Sequence, residues 1–261
     1  MKLTIITCTY NSASTIAKCI DSVFLQWFDD VDYEHIFVDA NSTDTTLDII
    51  HHKYATKSNY RIISSDPKWA YNAMNLWISH ARWTYLYLLN SDDSIYQTWL
   101  SWLISHAANN QSDFCFWNAR YVDAQNNLLH TLTPKKFLPF FLKKKLCRYI
   151  LFFLHYSCPQ ATVYKKHLHE AVWSYNEIYK FLADRDFSIK VASGDYLTHY
   201  VDIDVCDFFV HTWSLTSNHN NRKKMNQEAT SIINHHFGYG LWNRRTSLVT
   251  WVKRILWFFS W

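Results

Sequence analysis

Short apolar runs alternate with longer segments of helical spacing along the first hundred residues of the chain. Four runs rich in β-branched and aromatic residues predict buried strands: LTIITC (3–8), HIFVD (35–39), YRIISS (60–65) and LYLLN (86–90). Between them, three segments predict helices. They are 16–26, where Ile16, Cys19, Ile20 and Val23 recur, the part of 40–53 that follows a polar loop and a capping Ser or Thr, and 69–81. Because strands that alternate with helices form βαβ units, we expect an α/β fold with a mostly parallel central sheet flanked by helices.

The second half of the sequence is less regular. Residues 94–107 and 176–193 predict two helices, and residues 113–123 predict a further strand. The length of 261 residues suits one large domain or one domain with an appendage. We therefore expect a main domain over residues 1–215 and a helical C-terminal region over residues 216–261.

Polar loops follow each of the first four predicted strands. They are Thr9-Tyr10-Asn11, Asp39 to Asp44, Asp66 to Lys68, and Ser91 to Asp93. Because the carboxyl ends of parallel strands meet at one edge of a sheet, these loops are expected to share one ligand.

The loop after the fourth strand carries two adjacent carboxylates, Asp92 and Asp93. One interpretation is an ordinary turn, since Asn, Ser and Asp bond to the local backbone. The other is a metal site, since Mg²⁺ is bound by one or two carboxylates together with substrate phosphates. The residue types alone leave both interpretations open.

Composition narrows the class of protein only slightly. The formal net charge of +4 is too small to indicate a nucleic-acid-binding protein. The six cysteines form no CxxC pair, which favours reduced thiols and a cytosolic setting. The amino terminus lacks the long apolar run of a signal peptide. The fourteen histidines show no HExxH or other metal-binding spacing.

Six motifs, taken in order, resemble those of the family 2 glycosyltransferases of GT-A fold. They are TCTYNSASTIAKCIDSV, VDANSTDTTLDII, YNAMN, LLNSDD, QATVYKK and ADRDF, and the likeness covers roughly residues 3–215. Each motif alone is weak, whereas the ordered set is specific. The resemblance implies an inverting enzyme that moves a sugar from a nucleoside diphosphate, expected to be UDP, to a hydroxyl of a glycan or lipid-linked acceptor.

The resemblance also implies roles for individual residues. Those expected to contact nucleotide or substrate are Thr9, Tyr10, Asn11, Asp39, Asn75 and Asp92, with Asp39 accepting a hydrogen bond from a uracil-type base. Asp93 is expected to ligate Mn²⁺ or Mg²⁺. Such a cation neutralises the charge that develops on a diphosphate leaving group.

The motif ADRDF contains the candidates for the general base, Asp184 and Asp186. They are either solvated acids on a helix surface or the carboxylate that takes the proton of the acceptor hydroxyl. The resemblance matches Asp184 best with the base and leaves Asp186 as the second choice.

The chain departs from the family at several positions where glycine is usual. Ala40 is one, and five tryptophans are the others: Trp69, Trp77, Trp83, Trp117 and Trp173. Asn72 stands where Asp is common, and Pro159 where His is common. The alternative function is therefore a GT-A-fold nucleotide-binding protein with impaired or no activity. A nucleotidyltransferase is a weaker alternative, because TCTYNSAST is neither glycine-rich nor basic.

Two segments bear on a membrane contact. Residues 135–157 mix basic and aromatic residues, which fits either a core helix with a basic face or a membrane interface. The apolar tail, residues 248–261, favours the membrane, although it is too short to span a bilayer. We expect a cytoplasmic protein with a peripheral contact to the inner face of the membrane.

Overall fold

The computed structural model of the chain describes residues 2–26, 28, 31–64, 70–96, 98–133, 159–172, 174–211 and 221–237. The chain divides into two compact units, Met1–His211 and Thr212–Trp261, and each is described by itself. Several positions singled out in the sequence lie outside the described residues: the loop Asp66 to Lys68, Trp69, residues 135–157, Trp173 and the tail 248–261.

Nine strands within the described residues form the sheet of the first unit. They are β1 Lys2–Thr9, β2 Asp32–Asp39, β3 Tyr60–Ser64, β4 Tyr85–Leu88, β5 Ser94–Ile95, β6 Phe114–Val122, β7 Leu128–Leu132, β8 Thr162–Lys165 and β9 Thr198–Phe209. Their order is β3-β2-β1-β4-β8-β6-β9-β5, with β7 paired to β6. The α/β class predicted from the sequence is confirmed.

The four strands of the amino-terminal half pair in parallel, as predicted. The register sets Thr9 opposite Asp39 on β1 and β2, and Ile6 opposite Leu88 on β1 and β4. The apolar runs become strands because their β-branched side chains pack on both faces of the sheet. Strand β1, for example, is buried over most of its length.

The sheet as a whole is mixed. Strand β8 is antiparallel to both β4 and β6, β5 is antiparallel to β9, and β7 is antiparallel to β6, whereas β6 and β9 are parallel. The predicted parallel arrangement thus describes the amino-terminal half. An apolar run predicts that a strand is buried and does not encode the direction of its neighbour.

The described residues contain seven α-helices. They are α1 Ile16–Phe24, α2 Thr46–Lys53, α3 Ala70–His80, α4 Trp99–Asn109, α5 Lys166–Ala171, α6 Ala183–Ser193 and α7 Arg222–Phe237. The periodicity of α1 is confirmed, because Ile16, Cys19, Ile20 and Val23 are all buried in the core. The cysteines at positions 8, 19, 115 and 206 are free thiols, in agreement with the expected absence of a disulfide framework among them.

Two helices begin later than the sequence predicts. Ser94 and Ile95 form β5, which pairs with β9, and the helix predicted over 94–107 begins at Trp99. The helix predicted over 176–193 begins at Ala183. The segment before it is held by hydrogen bonds to α3, and these tertiary contacts outweigh its helical propensity.

The second unit contributes α7 to the described residues. Ile232 and Ile233 are buried, and the first turn carries Arg222, Lys223 and Lys224, which are exposed. No helix within the described ranges combines the length and hydropathy that crossing a bilayer requires.

Candidate functional site

Three loops at the carboxyl ends of β1, β2 and β4 are joined by hydrogen bonds. The Ser12 backbone N–H donates to Thr46 Oγ1 at 2.7 Å, at the start of α2. The Ser12 hydroxyl lies 2.9 Å from the hydroxyl of Ser91, in the acidic loop. The Cys19 thiol donates to the Asn90 carbonyl from α1. The expected convergence of polar loops on one edge is therefore observed for the three loops that the structure describes.

Asp39 lies at the junction of the first two loops. Its Oδ1 accepts the Thr9 hydroxyl at 2.9 Å, and its Oδ2 accepts the Ser42 backbone N–H at 2.8 Å. The Ser42 hydroxyl also donates to Oδ1. Thr9 and Asp39 are each only 2% exposed. An ionised carboxylate offers about four lone-pair sites, so one acceptor position of Asp39 is left for a ligand.

The Tyr10 side chain is exposed, whereas Asn11 is held by hydrogen bonds to the second loop. Tyr10 is 62% exposed at the end of β1, which suits a ring that stacks on a base. Asn11 has a positive φ of 46°, and its Oδ1 accepts the Thr43 backbone N–H at 2.8 Å. Its own backbone N–H donates to Ser42 Oγ at 2.9 Å. Asn11 thus fixes the position of the second loop.

The two carboxylates of the acidic loop occupy different environments. Asp93 is 2% exposed, and it accepts the Phe209 backbone N–H at 2.9 Å and the Asn90 side-chain amide at 3.1 Å. Burial raises its pKa well above the ordinary value, and the neighbouring charge of Asp92 raises it further. The Asp92 side chain is about one-third exposed. Asp92 is therefore the more accessible of the two carboxylates.

A histidine that the sequence did not single out completes this loop. His211 Nε2 lies 2.8 Å from Asp92 Oδ2, although the two residues are 119 positions apart in the sequence. Strand β9 ends at Phe209 and brings His211 to the acidic loop. Within the described residues no group of three or more His, Cys, Asp or Glu is arranged to hold a metal. The pair Asp92–His211 offers two ligands, which is sufficient where substrate phosphates supply others.

Asn75 is held by the chain itself. Its Nδ2 donates to the Tyr175 carbonyl at 2.8 Å and to Glu177 Oε1 at 3.0 Å, and its Oδ1 accepts the Tyr175 backbone N–H at 2.9 Å. The neighbouring Asn72 also donates to Glu177, at 2.7 Å. In this conformation Asn75 therefore connects α3 to the segment that precedes α6, and its substrate contact stays a prediction.

The two acids of α6, Asp184 and Asp186, differ in burial and in their partners. Asp186 is fully buried and forms an ion pair with Lys190 at 2.7 Å. Asp184 is half-buried in the first turn, and its Oδ1 accepts the backbone N–H of Arg185 at 2.9 Å. Burial raises the pKa of Tyr175, and the charge of Asp184 raises it further. The backbone of Tyr175 is bonded to Asn75. Asp184 is thus the acid that substrate can reach more readily.

Three of the tryptophans at usual glycine positions pack within the fold. Trp117 on β6 is 2% exposed, with its ring centroid 6.1 Å from that of Tyr87. Trp77 is 8% exposed on α3. Trp83 lies beneath Lys2 at the amino-terminal edge of the sheet, opposite the polar loops. These three side chains therefore pack against neighbouring parts of the chain.

The comparisons with known proteins agree with this geometry. The sequence profile described as glycosyl transferase family 2 matches residues 4–173. A PGL/p-HBAD biosynthesis glycosyltransferase of Mycobacterium bovis is 29% identical over 204 residues, which cover 77% of this chain and 73% of the relative. A poly(ribitol-phosphate) beta-glucosyltransferase of Bacillus spizizenii is 34% identical over 118 residues, which cover 43% of this chain and 18% of the relative.

Two solved structures share the fold. S. aureus TarS in complex with UDP-GlcNAc has a TM-score of 0.67 at 19% identity, covering 90% of this chain and 67% of that one. A mannosyltransferase of Pyrobaculum calidifontis in complex with GDP-Man and Mn²⁺ has a TM-score of 0.62 at 16% identity, covering 88% of this chain and 63% of that one. Because the family profile spans well over half of the sequence and the fold is that of GT-A glycosyltransferases, the chain belongs to glycosyl transferase family 2.

Proposed function

We propose that this chain transfers a sugar from a UDP-sugar to a hydroxyl group of a glycan or lipid-linked acceptor, with inversion at the anomeric carbon. The observation that carries the proposal is the placement of two pairs of side chains at the carboxyl ends of strands of one sheet. Thr9 and Asp39 end β1 and β2, and Asp92 with His211 follows β4 and β9. One pair suits a base and ribose, and the other suits a cation with a diphosphate.

We assign the binding site of the donor's nucleobase to Asp39. The remaining acceptor position of its carboxylate suits the imide N–H of uracil, and the exposed ring of Tyr10 suits stacking on the base. UDP and UDP-GlcNAc are the ligands named for TarS, whereas the mannosyltransferase was solved with GDP-Man. These neighbours support a nucleotide-sugar donor, and the choice of UDP rests on Asp39.

The candidate metal ligands at the acidic loop fit a divalent cation. Asp92 and His211 would hold it, and a cation there is supported by the pKa of Asp93, which burial and the neighbouring charge of Asp92 raise. Because Mg²⁺ takes oxygen ligands, an imidazole favours Mn²⁺ between the two. A bound cation neutralises the charge on the departing diphosphate. Asp93, predicted as the ligand, holds the loop by its bonds to Phe209 and Asn90 in this conformation.

Asp184 is assigned as the general base. Its carboxylate takes the proton of the acceptor hydroxyl while that oxygen forms a bond to the anomeric carbon and the bond to the diphosphate breaks. A single displacement of this kind inverts the configuration. Its half-exposed position in α6 supports the assignment, whereas Asp186 is buried against Lys190. General base catalysis contributes typically about 10²- to 10⁴-fold to the rate.

A donor screen tests the proposal. The full chain is incubated with Mn²⁺ and UDP-glucose, UDP-GlcNAc or GDP-mannose, and release of the nucleoside diphosphate is measured. Calorimetry with UDP and Mn²⁺ runs in parallel. Release from at least one UDP-sugar together with UDP binding is the expected result. Binding without release from any donor would support the alternative of an impaired nucleotide-binding protein, and absence of both would overturn the proposal.

A further inference from the structure

Arg185 is a cation that the proposed transfer reaction leaves without a role. It lies in the first turn of α6, between Asp184 and Asp186, and is half-buried. Burial lowers the pKa of its guanidinium to about 10, while the phenols of Tyr71 and Tyr121 act in the opposite direction. At neutral pH the group remains charged, so the fold carries a partly desolvated positive charge beside the candidate base.

The acids nearest in sequence form no ion pair with the Arg185 guanidinium. Asp186 forms its ion pair with Lys190, and Asp184 accepts the backbone N–H of Arg185. Among the residues that the structure describes, no carboxylate lies within ion-pair distance of the Arg185 guanidinium. Outside the described residues the acidic side chains are Asp29, Asp30 and Asp66, and the stretches 134–158, 212–220 and 238–261 contain no Asp or Glu.

A partly buried charge is unfavourable unless an anion offsets it, and the described residues supply no carboxylate to the Arg185 guanidinium. Guanidinium is the side-chain group best suited to phosphate, because its N–H groups match two phosphate oxygens at once. The donor diphosphate is assigned to the Asp92–His211 pair at the ends of β4 and β9. Arg185 lies instead on the helix that carries the base, where the acceptor hydroxyl must bind.

We propose that Arg185 binds a phosphate group of the acceptor, beside the hydroxyl that Asp184 deprotonates. The inference rests on the proposed function, and it narrows the acceptor class to phosphate-bearing molecules. The phosphate belongs either to a soluble phosphodiester polymer or to a lipid headgroup, which share this chemistry. Arg185 therefore selects the acceptor and leaves donor affinity unchanged.

The test compares matched acceptors with and without phosphate, using the donor identified by the screen. The soluble pair is poly(glycerol phosphate) and glycerol. The lipid pair is phosphatidylglycerol and monoglucosyl diacylglycerol, each in phosphatidylcholine vesicles. We expect the unmodified chain to use the phosphate-bearing member of one pair at least about tenfold better, and the responding pair identifies the source of the phosphate.

In Arg185→Gln the KM for that acceptor is expected to rise about 10- to 100-fold, the usual scale of charge-assisted hydrogen bonds, with the Kd of UDP and Mn²⁺ unchanged. Arg185→Lys keeps the positive charge but loses the paired N–H groups of the guanidinium. Its KM for the acceptor should lie between those of the unmodified chain and Arg185→Gln. The charge-matched control is Lys57→Gln, since Lys57 is exposed near the amino-terminal edge of β3. It should behave as the unmodified chain.

Three results would overturn the inference. One is equal use of both members in each pair. A second is a loss of UDP affinity in Arg185→Gln with the acceptor KM unchanged. A third is a drop in melting temperature for Arg185→Gln without any acceptor effect, which would assign the guanidinium to an ion pair within the chain.

Binding of poly(glycerol phosphate) to the chain loaded with UDP and Mn²⁺ provides a readout independent of turnover. If no donor is consumed, the proposed function fails, and calorimetry still reports whether Arg185→Gln removes binding of the polymer. Retained binding in that variant would overturn the role of Arg185.

Discussion

At the scale of single residues, identical side chains acquire different roles from burial. Asp184 and Asp186 lie two positions apart, yet one is half-exposed and the other is fully buried against Lys190. Asp92 and Asp93 are adjacent, yet only Asp92 is open enough to meet His211. A buried and paired carboxylate is suited to stability, and an accessible one to chemistry.

Substitution of Asp184 should therefore affect turnover, and substitution of Asp186 should affect stability. Asp184→Asn is expected to cut kcat by about 10²-fold or more with UDP affinity unchanged, because it removes the proton acceptor. Asp186→Asn should instead lower the free energy of unfolding by about 3 kcal/mol, because Lys190 loses its buried partner. Steady-state kinetics and urea unfolding measure the two effects. A large loss of kcat in a stably folded Asp186→Asn would make Asp186 the base.

The cation site gives a second prediction at this scale. Asp92→Asn and His211→Gln should each weaken the Mn²⁺-dependent part of UDP binding by about tenfold or more, the scale of lost charge-assisted contacts. Asp93→Ala should weaken it too, and should also lower stability, because Asp93 accepts the Phe209 N–H and the Asn90 amide. Calorimetry with and without Mn²⁺ reports the difference. His52→Gln, at an exposed position, is the control, and UDP affinity that ignores Mn²⁺ in every variant would contradict the assignment.

At the scale of elements, buried polar contacts connect the parallel strands at the edge opposite the site. Glu34 on β2 accepts the Thr4 hydroxyl at 2.8 Å, the Arg82 backbone N–H at 3.0 Å and Arg61 Nη2 at 2.9 Å. It therefore joins β1, β2 and β3 to the segment after α3. His35, the next residue, lies on the other face between Thr7 and Tyr54.

Glu34→Ala should lower the free energy of unfolding by about 3–5 kcal/mol, since it leaves three donors, one of them a guanidinium, without their acceptor. Asp32→Ala, two residues earlier on the same strand and exposed, should change it by no more than about 0.5 kcal/mol. Urea unfolding of both variants measures the difference. Similar losses in the two variants would show that the Glu34 contacts contribute little.

His35 gives a prediction for pH. Burial lowers its pKa from 6.5 to about 3, so between these values the unfolded chain binds a proton that the folded chain does not. Stability should therefore fall as pH decreases below about 6.5, by up to about 1.4 kcal/mol per unit from this group. His169, whose pKa burial lowers to about 4, acts in the same direction.

The matched variant is His35→Gln, which has no titrating group at this position. The free energy of unfolding is measured at pH 7 and pH 5 for both proteins. We expect the decrease between the two pH values to be about 2 kcal/mol smaller in the variant. Equal decreases would mean that His35 is protonated in the folded state at pH 5.

At the scale of the whole molecule, charge is distributed unevenly along the chain. Residues 134–158 and 238–261 contain Lys and Arg but no Asp or Glu, whereas the first 133 residues hold most of the carboxylates. Segments that combine cations with aromatic residues suit an anionic membrane surface, where each Lys or Arg contributes about 1 kcal/mol. The membrane contact expected from the sequence stays a prediction.

Deletion of residues 248–261 tests it. The deletion removes Lys253 and Arg254 together with five aromatic side chains, so binding to phosphatidylglycerol vesicles should weaken by at least about tenfold. Co-sedimentation at low and high salt measures the effect, with phosphatidylcholine vesicles as the control. If the full chain never sediments with the anionic vesicles, this segment has no membrane role.

Local patterns in the sequence predict the elements of the amino-terminal half and the edge of the sheet where the candidate site lies. Apolar period and strand ends are local properties, and the parallel pairing of β2, β1 and β4 then brings Thr9, Asp39 and the Ser91–Asp93 loop to the same edge. The same locality explains why α1 was predicted with its buried face and why the ordered motifs led to the correct family.

Which side chains of that edge meet depends on the tertiary structure. His211 reaches Asp92 across 119 residues because β9 returns to the edge, and no spacing rule covers a contact of that range. The packing of α6, α3 and β6 against their neighbours likewise decides three further features. They are the burial of Asp186, the hydrogen bonds from Asn75 to the segment before α6, and the packing of Trp117 in the core. A sequence pattern states that a side chain is acidic or aromatic, and packing then decides whether water, another side chain or a substrate can reach it.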